Sequence, residues 1–312
     1  MTVPNNNRET VLVIGATGRH GGTGARVVQR LQAAGRDVRA LVRSDDERAQ
    51  RLRESGVHVM VGDLHDRRTL PSALQGVASV YVAYPVAAGI VSALLNLASV
   101  TRELDIAPHV VIMGAAAADH CSPSGIARAH ALSEEMLYEL GVPFTSIRGS
   151  AFFYENVLLL HGDTIRSSGE FANSFGDARP AWISGTDAAD LCATVLLDRQ
   201  TYATVPYLYP PGHERLSQKE IATIISEETG RDVRYRYLSP EDWGRDLRTR
   251  TGNHAMVTHI TSMAAMCENN TTILRKDVDP AALTTASGRP ALSFSDFIRQ
   301  HRSQLGAVSA QV

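Results

Sequence analysis

The run Val11-Leu12-Val13-Ile14-Gly15-Ala16-Thr17-Gly18-Arg19-His20-Gly21 decides how this chain is read. Residues 11–14 are β-branched or aliphatic and read as a short buried strand. Residues 19–34 carry helical periodicity and stop at Gly35. Between them the glycines fall at GxxGxxG spacing. The first glycine of such a turn permits a tight bend, and the second lets backbone approach a pyrophosphate. The third lets helix and sheet pack closely. The helix start adds free N–H donors and the positive end of a dipole. In this order, strand, turn and helix read as a dinucleotide-phosphate site made of Gly15, Thr17, Gly18, Arg19, His20 and Gly21. The alternative is a glycine-rich turn with a structural role only.

The same alternation continues outward. Residues 38–42, 57–61, 80–83, 110–113 and 144–147 are short apolar runs, and residues 47–54, 70–74, 90–104 and 128–140 are helical. Near-continuous apolar strands separated by helices predict a parallel sheet covered on both faces. Right-handed crossovers make it doubly wound. The expected fold is therefore α/β, a doubly wound parallel Rossmann sheet with a smaller C-terminal α+β lobe. Residues 1–150 are assigned to the NAD(P)-binding Rossmann core. Residues 151–312 are assigned to a mixed region that completes the sheet and forms the small substrate lobe. After Arg148 the rhythm loosens. Residues 187–197 read as one more helix of the main domain, 218–229 as a helix of the lobe, 235–238 as a strand and 294–301 as a closing helix.

A chain of 312 residues fits one large domain with an appended lobe, and 44% apolar residues suffice for a sizeable core. The formal net charge of −2 gives no electrostatic reason to expect nucleic acid or anionic lipid as partner. Cys121, Cys192 and Cys267 lie far apart and lack metal-ligand spacing. They read as free thiols in a reducing compartment, with no metal site. The polar N-terminus has no signal-peptide core, so the expected location is cytoplasmic. Residues 69–101 carry no charge and could suggest a membrane span. Pro71, Gly76, Pro85 and Gly89 punctuate that stretch, and strand, loop and helix fit it better. The expected partner is a small, flat or aromatic molecule, and a homodimer is allowed.

The end of the second strand bears on which dinucleotide is bound. An acidic residue there would hold the ribose hydroxyls of NAD, whereas this chain has Arg43. A guanidinium suits a 2′-phosphate, so NADP(H) is expected to be preferred over NAD(H), with Arg19 as a second donor. Asp45 and Asp46 blur this reading, and Arg43 could equally be a solvated residue at a helix start. Asp63 and Leu64 follow the third strand, where the adenine edge passes. Asp63 could accept from the adenine amino group or cap the next helix. Tyr84 and Pro85 follow the fourth strand, at the carboxyl end of the sheet, where ligands sit in such folds. Tyr84 could wall the nicotinamide or offer its hydroxyl. Gly114 ends the fifth strand and completes the cofactor set.

Taken together, these motifs resemble the NmrA-like branch of the atypical short-chain dehydrogenases. The residues that carry the resemblance are Gly15 to Gly22, Val38 to Arg43, Gly62 to Leu64, His130 to Glu134, Phe144 to Arg148, Phe152 to Asn156 and Ser287 to Pro290. It covers most of the chain and is weakest over residues 202–285. It implies a Rossmann domain with a small lobe and a cleft between them. It also implies one of two activities: an NADPH-dependent reductase, quinone reductases included, or a non-catalytic dinucleotide sensor that regulates partners.

A standard short-chain dehydrogenase places Tyr-x-x-x-Lys on the helix after the fifth strand. Here the chain has only Lys219 and Lys276, and His130-x-x-x-Glu134 stands at that place. The serine expected at the end of the fifth strand is replaced by Gly114-Ala115-Ala116-Ala117. His130, oriented by Glu134 on the same helical face, could supply a proton near neutral pH, with Tyr84 as a further catalytic candidate. The alternative is a structural His–Glu pair. Phe152, Phe153, Tyr154 and Asn156 suit a flat substrate pocket, or an interdomain core. His254, Met256, His259, Met263 and Met266 share a likely helix and read as core or adaptable pocket lining. The functions weighed are a reductase of quinones or activated carbonyls and enones, a dinucleotide-sensing regulator, and a non-redox isomerase or dehydratase.

Overall fold

The computed structural model describes residues 9–18, 22–149, 152–269 and 278–306. The first six strands are β1 (Thr10–Ile14), β2 (Asp37–Val42), β3 (His58–Val61), β4 (Val77–Val82), β5 (His109–Gly114) and β6 (Phe144–Arg148). The helices between them are α1 (Thr23–Ala33), α2 (Glu47–Glu54), α3 (Leu70–Leu74), α4 (Ile90–Glu103) and α5 (Gly125–Glu139). Beyond β6 come α6 (Glu155–Ser168), β7 (Glu170–Asn173), β8 (Ala181–Trp182), α7 (Gly185–Leu197), α8 (Arg199–Tyr202) and β9 (Tyr207–Leu208). The rest is β10 (Glu214–Arg215), α9 (Gln218–Thr229), β11 (Arg234–Tyr237), α10 (Pro240–Arg250), α11 (His254–Glu268), α12 (Pro280–Ser287) and α13 (Phe294–His301).

Among the described residues the main sheet has the order β3-β2-β1-β4-β5-β6-β9. Every neighbouring pair in it is parallel. The order reverses between β1 and β4, which opens a crevice at the carboxyl ends of those strands. Side chains alternate across the sheet. Val11, Val13 and Tyr81 pack on one face with α1 and α7, while Leu12, Ile14 and Val80 pack on the other with α3 and α4. The uncharged stretch forms α3, β4 and α4, and among the described residues no helix is long and apolar enough to cross a membrane.

Local signals explain the boundaries. Asp46 caps α2 by accepting from the N–H groups of Arg48 and Ala49 at 2.9 and 3.2 Å. Ser124 caps α5 by accepting from Ala127 at 3.2 Å, so that helix begins before the expected residue 128. The helix expected from residue 19 starts instead at Thr23, because Gly22 holds a left-handed conformation with φ 60. Arg19, His20 and Gly21 lie outside the described residues.

The C-terminal half departs more from the expected pattern. β9, two residues long, is the edge strand of the main sheet, while β7 pairs with β11 and β8 with β10. A second core joins these pieces, built around Phe152, Tyr154, Phe171, Phe175, Trp243 and Phe297. An ion cluster fastens this region to the sheet. Asp190, fully buried on α7, receives Arg26 Nε from α1 at 2.7 Å and Arg289 Nε at 2.8 Å. Asp187, one turn earlier, receives Arg289 Nη2 at 2.7 Å, the Ser184 hydroxyl at 2.7 Å and the Leu292 N–H at 3.0 Å. Arg30 reaches both Asp190 and the Ser287 carbonyl, each at 3.1 Å. The closing segment 287–292 is thereby held on α1 and α7.

Arg289→Met would leave two buried carboxylates short of a partner. Loss of one member of a buried pair costs about 3 kcal/mol or more. The variant is expected to unfold at lower urea concentration by that margin, with an unchanged dependence on denaturant. An unaltered midpoint would show that the cluster does not hold the segment.

Candidate functional site

The turn after β1 is built by exclusion of side chains. Gly15 has φ +95, and a Cβ there would lie 2.7 Å from the Ala83 carbonyl oxygen. The Gly18 N–H donates to the Gly15 carbonyl at 2.9 Å and closes the turn. The closest approach involves a residue that sequence reading missed. A Cβ on Gly24 would sit 2.2 Å from the Gly15 oxygen, so α1 rests directly on the turn. Gly24 thus packs helix closely against turn, while Gly21, of which that role was expected, lies outside the described residues. Among the described residues no side chain caps the start of α1, and its first turn carries no acid. Its leading N–H groups therefore present an anion-binding end beside Thr17, Gly18 and Thr23.

From this turn a cavity of about 530 Å³ follows the carboxyl ends of β1 to β5 and continues into the C-terminal region. Arg43, exposed at the end of β2, lines its outer part. The two acids beside it are engaged elsewhere, Asp45 with Arg53 and Asp46 with Arg48, each at 2.6 Å. Arg48 also lines the cavity and reaches the Thr17 carbonyl at 3.4 Å. It was missed because α2 reads as a solvated helix. Asp63 and the buried Leu64 line the wall. Asp63 caps no helix: its Oδ1 accepts the His65 N–H at 2.9 Å, and Asp66 caps the following turn instead.

Tyr84 and Pro85 lie further in. The Tyr84 hydroxyl donates to the Ala88 carbonyl at 3.1 Å, so at 2.7 Å it accepts from His65 Nε2. Burial and the charge of Asp63 push this phenol above its ordinary pKa. Both features suit Tyr84 to a wall more than to an acid. Gly114 is a packing glycine. A Cβ there would meet Ser146 Oγ at 2.1 Å, and its neighbours Met113 and Ala115 line the cavity.

His130 lines the cavity, and its buried Nδ1 has no hydrogen-bond partner among the described residues. Burial, then the charges of His259 and Arg148, push its pKa down to about 3. It is therefore neutral near pH 7. Glu134 does not orient it. The Glu134 carboxylate accepts from Arg148 Nε at 3.1 Å, from Arg148 Nη2 and from Ser146 Oγ, bracing α5 to β6. Burial raises the Glu134 pKa against the opposing effect of Arg148. The Arg148 guanidinium lies over the Tyr207 ring, 4.2 Å from its centroid.

The inner chamber is apolar, with Phe152, Phe175, Trp182, Met256, Ile260 and Met263 in its wall. Phe152 and Asn156 line it as expected; Phe153 and Tyr154 do not. Phe153 sits in an isolated bridge with Ile183, and its side chain joins the sheet core. Tyr154 meets Phe294 edge to face, with ring centroids 5.2 Å apart, and donates to Glu214 at 2.8 Å. On α11, Met256, His259 and Met263 share the cavity face. Met266 is buried in the second core, and His254 is exposed. His259 Nδ1 lies 2.7 Å from Ser124 Oγ, and Asn253 donates to the Val86 carbonyl at 2.9 Å. Those two contacts pin α11 across the strand ends.

Known proteins share this architecture. The pattern of the NmrA-like family matches residues 7–288. The chain is 30% identical over 301 residues to an NAD(P)H azoreductase of Xenophilus azovorans, covering 95% of this chain and 99% of the relative. It is 26% identical over 243 residues to quinone oxidoreductase 2 of Escherichia coli, covering 76% and 82% of the two chains. An NADPH-dependent quinone oxidoreductase of Escherichia coli, solved with NADPH, superposes with a TM-score of 0.77 at 22% identity, covering 95% and 99%. Triphenylmethane reductase of Citrobacter, solved with NADP(H), gives 0.74 at 22% identity, covering 93% and 99%. The two superpositions show a shared fold.

The buried imidazole has a measurable consequence. Unfolded, His130 takes a proton near pH ~6.5; folded, it does so only at about 3. Below ~6.5 the unfolded state binds the extra proton, so the stability tied to His130 is complete above that pH and is lost as pH falls. Between about pH 6 and about pH 4 the parent should lose unfolding free energy faster than His130→Gln, by ~1.4 kcal/mol per unit. Urea denaturation across that range measures it, and parallel curves would contradict the neutral, buried assignment.

Proposed function

The chain belongs to the NmrA-like family, and on that premise we propose that it is an NADP(H)-dependent reductase that delivers hydride to a flat aromatic acceptor, a quinone or an activated carbonyl or enone. The observation that carries this reading is the cavity that joins a glycine turn and a helix start without a side-chain cap among the described residues to an apolar, aromatic chamber. The turn fits a pyrophosphate, since Gly15, Gly18 and Gly24 clear the approach and the start of α1 offers N–H groups. Arg43 fits a 2′-phosphate, since both neighbouring carboxylates are neutralised by other arginines, Asp45 by Arg53 and Asp46 by Arg48. Tyr84 and Pro85 wall the passage between the two ends. A reduced nicotinamide bound there supplies the hydride.

The chain's own residues position and shield the acceptor. Phe152, Trp182 and the α11 methionines exclude water and accept a planar ring. A neutral His130 can hold an oxygen by hydrogen bonding without acting as a strong acid. A quinone tolerates this, because it needs little protonic help. One observation favours a second reading, a dinucleotide-responsive regulator without turnover: no lysine precedes Lys219, and Lys219 pairs with Asp177 on the surface.

Oxidation of NADPH against a panel of quinones separates the two readings. Turnover is expected, with NADPH bound more tightly than NADH. A charge-assisted hydrogen bond contributes ~1.5–3 kcal/mol, so the preference should be about tenfold or more and largely absent in Arg43→Ala. His130→Gln should cost less than about tenfold in quinone turnover, against roughly a hundredfold or more for a lost general acid. Tight NADPH binding with no turnover on any acceptor would establish the regulator. Equal affinity for the two nucleotides would refute the role of Arg43.

A further inference from the structure

The apolar chamber ends on a patch of buried polarity that the proposed hydride transfer does not use. His161 on α6, Asn173 at the end of β7 and Gln218 at the start of α9 all line the cavity, and each is at least 96% buried, with relative exposures of 4%, 1% and 1%. Their hydrogen bonds fix the orientation of each group. Asn173 Oδ1 accepts the Phe175 N–H at 3.1 Å, so the Asn173 amide nitrogen faces the other two. That nitrogen donates to Gln218 Oε1 at 2.9 Å and lies 3.2 Å from His161 Nε2. Gln218 therefore presents its oxygen to Asn173, and its own Nε2 is left over. Among the described residues that nitrogen has no hydrogen-bond partner.

A buried amide donor without an acceptor is costly, and native proteins leave few of them. The Gln218 oxygen is used within the protein, as acceptor for Asn173, and its nitrogen is not. The charge balance of the patch is also informative. Burial, with a smaller effect of Arg250, pushes the His161 pKa down to about 3, so His161 is uncharged near neutral pH. Arg250 itself is committed to Asp246 and the Leu160 carbonyl, each at 2.7 Å. The patch thus offers a neutral N–H donor at the edge of an apolar chamber, with no charge to meet an anion.

We infer that Gln218, oriented by Asn173 and His161, forms a recognition subsite for a neutral hydrogen-bond acceptor, a carbonyl, quinone or ether oxygen, at the inner end of a flat aromatic substrate. The inference rests on the reading that the chamber takes the hydride acceptor, and it narrows the substrate class to aromatics with an uncharged oxygen at that end. Gln218 is a specificity residue. It takes no part in hydride transfer.

Binding alone tests this, in protein saturated with NADP⁺. The probes are 9,10-anthraquinone, which carries a carbonyl oxygen on each side of its central ring, and anthracene, which has the same three rings and none. Gln218→Leu should weaken anthraquinone about tenfold and leave anthracene unchanged or tighter, with NADP⁺ affinity retained. Gln218→Met, which keeps the length of the side chain and removes the donor, should weaken anthraquinone by a similar factor. Equal changes for both probes, or none for anthraquinone, would overturn the subsite and leave the reductase reading intact. Failure of anthraquinone to bind the NADP⁺-loaded parent would overturn the subsite, and failure of both compounds would overturn the acceptor chamber with it.

Discussion

The contact on which the rest of the molecule depends is the seat of α1 on the Gly15 carbonyl. No side chain fits between them, since a Cβ on Gly24 would stand 2.2 Å from that oxygen. This approach sets the start of α1 beside the ends of β1 and β4, at the place where strand order reverses. The buried Tyr81 hydroxyl, 2.9 Å from Thr23 Oγ1, fixes the same helix end from beneath. Among the described residues no side chain caps α1, and it is at this helix start that the proposed reading puts the dinucleotide phosphates. The far side of α1 carries Arg26 and Arg30 into the Asp190 cluster, so one helix both offers the anion site and anchors the closing segment.

The cavity's two ends differ in how charge is managed. At the outer end, carboxylates are neutralised in pairs and Arg43 remains beside them, with Arg48 close by. At the inner end, charge is removed by burial, and His130 and His161 are both held neutral down to about pH 3. Glu134, which stands where an orienting partner was expected, is turned toward Arg148 and Ser146. The sequence motif His130-x-x-x-Glu134 is thus divided, one member facing the cavity and the other bracing the sheet. Such a chamber favours uncharged, polarisable ligands and gives little to proton chemistry.

The sheet was legible because its strands are buried on both faces and leave unbroken apolar runs, as in Val110 to Met113. The turn was legible because only glycine tolerates its geometry. Gly24 was not singled out, because its contact with the Gly15 carbonyl does not show in a sequence. Phe153 and Tyr154 could not be told from Phe152, since Phe153 turns into the sheet core and Tyr154, already helical, turns to Phe294 and Glu214. β9 spans two residues and owes its place to β6, too short for any pattern. Asn173 and Gln218 are 45 residues apart and carry no motif. Only the folded chain brings them together.

The central claim is that this cavity holds a reduced nicotinamide and an aromatic acceptor in one fixed relation. The most direct measurement is the kinetic isotope effect on single-turnover oxidation of bound NADPH by a quinone, with deuterium placed separately at the pro-R and the pro-S position of the nicotinamide. A fixed relation predicts a primary effect from one label and nearly none from the other. Comparable effects from both labels, or no oxidation of the bound nucleotide, would contradict it.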